Sequence, residues 1–202
     1  MIGIIDYGMG NLASVSNALK HLNQEYIISQ DTQQLQACDK LILPGVGAFM
    51  DAMEHMNECQ LTPFILEQVK LGKPLLGICL GMQMLFEESE EKGNCKGLGL
   101  IKGKVVEIQE DLPVPEIGWN DLQWQNASPL QAILSQDSYM YYVHSYYAVV
   151  KNQEDLIAYS MYGNTKVAGI VCHNNVLGCQ FHPEKSGQEG LQILKYFAED
   201  FI

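Results

Sequence analysis

Residues 74–83, Pro-Leu-Leu-Gly-Ile-Cys-Leu-Gly-Met-Gln, constrain the fold more than any other stretch of this chain. Leu75, Leu76 and Ile78 form a short apolar run that reads as a buried strand. Gly77 and Gly81 bracket Cys79, and residues 80–88 read as a helix. A Gly-x-Cys-x-Gly between strand and helix is the cysteine form of a nucleophile elbow. Such an elbow holds one side chain on a sharp turn, and its glycines let neighbouring backbone pass close by. A thiol in that place sits at a helix N-terminus, where the dipole favours thiolate. The amide of Leu80, next in sequence, is free to face an oxyanion.

An elbow implies a parallel sheet, and the first half of the chain alternates accordingly. Residues 2–6 read as a strand, 13–22 as a helix, 26–29 and 41–43 as strands, and 48–58 and 61–71 as helices. After residue 96 the pattern becomes a run of strands: 97–101, 103–108, 139–150, 156–162, 167–172 and 176–181, with 113–126 irregular. Asn174-Asn175 suits a tight hairpin turn, and 190–201 closes the chain as an amphipathic helix. No repeat or linker interrupts the 202 residues, so the expectation is one α/β domain over 1–202, with a mixed sheet, parallel first and antiparallel later.

Composition narrows the function classes. The net charge is −12 and the chain has no arginine, which argues against nucleic acid and against an anionic substrate gripped by Arg forks. No apolar run is long enough to span a bilayer, and the N-terminus reads as a strand rather than a leader. The six cysteines have no framework spacing, as expected for free thiols in the cytoplasm.

The partner for the thiol is Phe181-His182-Pro183-Glu184-Lys185-Ser186. Pro183 keeps His182 out of helix, and in an extended segment His182 and Glu184 project to the same side. A carboxylate beside an imidazole is the orienting half of a Cys–His–acid triad, with His182 taking the Cys79 proton and delivering it to a leaving amine. Cys172, His173, Cys179 and His182 invite a metal reading. Adjacent residues, or residues three apart, on a strand point to opposite faces, so no metal is expected. Pro44-Gly45-Val46-Gly47 follows a strand ending at the same sheet edge and is the candidate for a second oxyanion donor, at Val46 and Gly47. Gln83, His144, Ser145 and Tyr146 are candidates for contacting a small polar ligand. Asp6-Tyr7-Gly8-Met9-Gly10-Asn11 lacks the third glycine of a dinucleotide fingerprint.

Taken together, Gly77–Gln83 and Phe181–Ser186 resemble the class I, triad-type glutamine amidotransferases. The chain is further similar to one branch of that superfamily, the glutaminase subunits of imidazole glycerol phosphate synthase. The similarity rests on Asp6–Asn11, Leu43–Gly47, Gly118-Trp119-Asn120 and Tyr142–Tyr146. The resemblance implies a three-layer αβα, flavodoxin-like fold and no cofactor. It implies hydrolysis of L-glutamine to glutamate and ammonia by Cys79, His182 and Glu184. Ammonia would pass to a (β/α)8 cyclase in a heterodimer that makes imidazole glycerol phosphate and aminoimidazole carboxamide ribotide in histidine biosynthesis. Leu80, Val46 and Gly47 would form the oxyanion region, and Gln83, Ser145 and Tyr146 would contact glutamine. Asn11 and Trp119 would lie toward the partner. The missing arginines agree, because the phosphorylated substrate would belong to the other subunit.

One position departs from the branch. Its members usually read Pro-His-Met before Gly-Trp-Asn; here Pro115-Glu116-Ile117 precedes Gly118, putting a negative charge near the expected interface. Two alternatives follow: a paralogue feeding a cyclase-like partner in surface-sugar amidination, and a stand-alone γ-glutamyl thiol hydrolase using the same triad.

Overall fold

A computed structural model describes residues 1–135 and 137–202. In chain order the elements are β1 (Ile2–Ile5), α1 (Leu12–His21), β2 (Tyr26–Ser29), α2 (Thr32–Gln36), β3 (Lys40–Gly45), α3 (Phe49–Glu58), α4 (Leu61–Lys70), β4 (Leu75–Cys79) and α5 (Leu80–Gln83). They continue as β5 (Phe86–Ser89), β6 (Cys95–Lys96), β7 (Ile101–Glu107), β8 (Glu116–Asp121), β9 (Gln123–Trp124), β10 (Tyr139–His144) and β11 (Tyr146–Val150). The last are β12 (Leu156–Tyr162), β13 (Thr165–His173), β14 (Val176–Cys179) and α6 (Gly187–Glu199).

The central sheet has the order β2-β1-β3-β4-β14-β13-β12-β9. Its first five strands are parallel and the rest antiparallel, so the sheet is mixed as expected. Strands buried on both faces read as unbroken apolar runs, and the core shows why here. Ile5, Leu41, Leu43 and Leu75 pack on one side with residues of α3 and α4. Ile4, Ile42, Leu76 and Ile78 pack on the other with residues of α1 and α6. The result is three layers with the sheet in the middle. Among the described residues no helix is long and apolar enough to cross a membrane.

Two smaller sheets stand outside the central one: a β8–β10 ribbon, and a sheet ordered β11-β7-β5-β6. They account for most departures from expectation. The helix predicted over 80–88 ends after Gln83, and the chain turns into β5. Met82, Met84, Leu85 and Phe86 are all buried, which a helix with one apolar face cannot achieve. The single strand expected over 139–150 breaks at Ser145, so that β10 and β11 join different sheets. The stretch 113–126, read as irregular, holds β8 and β9. Of the strands expected at 97–101 and 103–108, only the second forms, as part of β7; residues 97–100 are not in a strand. Helix α2, capped by Asp31 accepting from the Gln33 amide, is too short to leave a periodic signal.

Candidate functional site

Cys79 ends β4 with φ 55° and ψ −113°, left-handed backbone that a non-glycine residue adopts only where its surroundings enforce it, at about 1–3 kcal/mol. The enforcing contacts come from the glycines. A Cβ on Gly81 would stand 1.8 Å from the Leu43 carbonyl oxygen, and one on Gly77 would stand 2.7 Å from that of Gly81. Helix α5 therefore lies directly on β3 and β4, closer than any side chain permits. Gly45 of β3 is the register partner of Cys79, so the segment that follows it starts beside that cysteine.

His182 follows β14, the strand paired with β4 on its other side. Its amide donates to the Tyr141 carbonyl at 3.0 Å. The Ser186 hydroxyl donates to the His182 carbonyl at 2.7 Å and accepts from the Tyr141 amide at 3.0 Å, tying the segment to β10. Glu184 reaches His182 by a different route from the one expected: Pro183–Lys185 form a single 3₁₀ turn rather than an extended strand. Within that turn Glu184 Oε1 lies 2.8 Å from His182 Nδ1, and its side chain is fully enclosed. This fixes a proton on Nδ1 and leaves Nε2 on the side of the ring away from Glu184. Burial by itself would push the His182 pKa down. The hydrogen bonds to Cys79 and Glu184, together with the charges of both, outweigh it and raise the pKa to about 10.

A cavity of about 350 Å³ opens over the thiol. Its walls include Cys79, His182, Leu80, Val46, Gly47, Gln83, His144, Ser145 and Tyr146, so two members of the predicted triad and the predicted oxyanion and ligand-contact positions converge there, with Glu184 enclosed behind His182. Val46 is exposed, and Gly47 adopts φ +95°. Tyr7 braces the strand end below them, its hydroxyl donating to the Pro44 carbonyl at 2.9 Å. Gln83 donates to the Tyr146 carbonyl at 2.7 Å and to Gln180 Oε1 at 3.0 Å, leaving its own oxygen as an acceptor.

Sequence reasoning missed three residues here. Gln180 is fully buried, with its amide nitrogen 3.9 Å from Cys79 Sγ; its position two residues before His182 is the signal that could have pointed to it. Glu91 lines the cavity and accepts from the Phe49 amide at 2.7 Å, but nothing in the sequence separates it from Glu87, Glu88 and Glu90. Lys185 lines the rim, masked by its motif neighbours.

Glu116, expected near the partner interface, is buried within this chain. Only 3% of it is exposed, and its Oε2 faces His144 Nε2 at 3.1 Å. The reason is register: Glu116 and His144 are cross-strand partners in the ribbon, pointing inward. His144 Nδ1 donates to the Tyr146 carbonyl at 3.0 Å, and Asn120 donates to Glu116 Oε1 at 2.9 Å. One proton between Oε2 and Nε2 satisfies both atoms, which have no other partner among the described residues. The opposite face of the ribbon is apolar and open: Ile117 is 64%, Trp119 55% and Tyr139 53% exposed, and Trp119 packs edge-on against Tyr141 at 5.9 Å. Asn11 caps α1, accepting from the Ser14 amide at 3.3 Å.

A family model described as glutamine amidotransferase class-I matches residues 3–201. The chain is 51% identical over 204 residues to the imidazole glycerol phosphate synthase subunit HisH of Geobacillus sp. (strain WCH70), covering 98% of this chain and 96% of that protein. It is 49% identical over 199 residues to the HisH subunit of Lactococcus lactis subsp. lactis (strain IL1403), covering 98% of each. The chain belongs to the class-I glutamine amidotransferase family and, within it, to the imidazole glycerol phosphate synthase HisH subunits. Among solved structures, a glutamine amidotransferase superposes with a TM-score of 0.75 at 22% identity, over 97% of this chain and 96% of that one. PurLQS from Thermotoga maritima gives 0.72 at 18% identity, over 97% and 96%. These two share the fold.

Proposed function

We propose that this chain, acting as one cytoplasmic glutaminase domain, hydrolyses L-glutamine for imidazole glycerol phosphate synthase in histidine biosynthesis, and that Cys79, His182 and Glu184 carry the reaction. The observation that carries this reading is the His182–Glu184 contact of 2.8 Å beside Cys79 held at positive φ, with Cys79 and His182 opening on one cavity.

His182 Nε2 takes the Cys79 proton, and the thiolate attacks the side-chain amide carbon of glutamine. The carbonyl electrons move onto oxygen, where the Leu80 amide and the Val46–Gly47 peptide donate to it. As the C–N bond breaks, the imidazolium gives its proton to the departing nitrogen, releasing ammonia and leaving a γ-glutamyl thioester. Water, deprotonated by His182, then attacks the thioester; glutamate leaves and the thiol regains its proton. Glu184 keeps Nδ1–H oriented throughout and offsets the imidazolium charge. Glu91 is placed to receive the α-ammonium group. Gln83, through its free oxygen, and Ser145 and Tyr146 form the wall for the rest of the amino acid.

Ammonia released here passes to a (β/α)8 cyclase docked over the open apolar face around Trp119, with Asn11 nearby. The near-full-length similarity to HisH subunits favours this pathway over surface-sugar amidination. The test is glutamate release by the chain alone and with the cyclase and its nucleotide: strong stimulation is expected. Equal turnover in both would favour the stand-alone thiol hydrolase.

A further inference from the structure

Gln180 is enclosed completely, and a chain of hydrogen bonds allows its amide only one orientation. The Tyr146 carbonyl can only accept, so the Gln83 atom 2.7 Å from it is the amide nitrogen. That same nitrogen lies 3.0 Å from the Gln180 side chain, which must therefore present its oxygen. The Gln180 nitrogen is left aimed at Cys79 Sγ, 3.9 Å away. The sulfur has an opposing neighbour in the Val143 carbonyl oxygen, 3.8 Å away. A carbonyl oxygen accepts from a thiol but repels a thiolate, so the charged nucleophile sits between one adverse dipole and one favourable one.

We propose that Gln180 is a further catalytic residue: its amide N–H stabilises the Cys79 thiolate against the Val143 carbonyl. It acts both when the thiol gives its proton to His182 and when water expels the thiolate from the thioester. Gln83 holds Gln180 in position and does not itself touch the sulfur. The assignment rests on the glutaminase reading only in taking Cys79 as the reacting atom.

Two variants of the full-length chain test it. Gln180→Glu keeps an oxygen to accept from Gln83 and replaces the donor by an acceptor; Gln180→Met removes both. The probe is iodoacetamide at neutral pH, with alkylation of each cysteine followed by mass spectrometry, alongside glutamate release in the cyclase complex. A hydrogen bond to a charged group is worth enough that Cys79 alkylation should slow about tenfold or more in both variants. The remaining cysteines should keep their rates, and kcat should fall with KM nearly constant. Cys79 alkylation at the parental rate in a folded variant overturns the proposal, whatever turnover does. Faster labelling of buried Cys179 reveals a variant that does not fold, and the other variant then decides. A parental chain that alkylates readily at Cys79 yet releases no glutamate overturns the glutaminase reading and leaves the Gln180 assignment standing.

Discussion

Gly45 and Cys79 face each other across adjacent parallel strands, the last paired residues of β3 and β4. The Val46–Gly47 segment and Cys79 thus leave the sheet side by side, and the geometry of one is tied to that of the other. A Cβ on Gly45 would meet the Gly81 amide nitrogen at 2.7 Å and the Tyr7 hydroxyl at 2.8 Å, so three segments meet at this point with no spare volume.

Gly81→Ala is expected to be among the most destabilising single changes in the chain. The added methyl would overlap the Leu43 carbonyl oxygen, which belongs to a central strand and cannot withdraw. Overpacking of a rigid site costs about 1–3 kcal/mol or more. Urea unfolding should show that loss, while Gly72→Ala, where a Cβ meets nothing within 4 Å, should show only the smaller cost of its positive φ.

Glu184→Gln should change the pH dependence in a definite direction. The His182 pKa is raised from 6.5 to about 10 in the folded chain, so the protonated ring stabilises the fold. That stability is present in full below 6.5 and is lost as pH rises through about 10. Replacing the carboxylate removes a cause of the rise. Unfolding free energy of the variant should therefore decline less between pH 7 and 10. The alkaline limb of its glutaminase profile should also lie at lower pH than that of the parent.

Glu116→Ala should cost about 1–3 kcal/mol, the typical penalty for leaving a buried polar group without its partner. His144 Nε2 has no substitute partner among the described residues, and the ribbon holding Val143 beside Cys79 would loosen. Thermal unfolding checks the first effect. An unchanged melting temperature would show that the pair contributes nothing.

Glu91→Gln should raise KM for glutamine about tenfold with kcat little altered, because it weakens a contact made equally before and during reaction. The substitution keeps an oxygen for the Phe49 amide, so the fold should be unaffected. Steady-state kinetics in the cyclase complex separates the two constants.

The parallel half of the fold was legible because its strands are buried on both faces and its helices carry a regular apolar stripe. The Cys79, His182 and Glu184 positions were legible as a candidate site because the elbow glycines and His182-Pro183-Glu184 are local patterns. What escaped was set by long-range pairing. The apolar run after Gln83 looks helical until β7 is known to lie beside it, and Glu116 looks like a surface charge until His144 is placed opposite. Gln180 carries no pattern of its own; its role emerges only when Gln83, Tyr146 and Cys79 are brought together.

The central claim is that the Cys79 sulfur forms the γ-glutamyl thioester. Glutamate release from L-glutamine by the cyclase complex, measured with the parental chain and with Cys79→Ala, tests it most directly. Release by the parent and loss of at least about 1,000-fold in the variant is the predicted result, given what removal of a nucleophile costs comparable triads. Retained turnover in a variant that still assembles with the cyclase would contradict it.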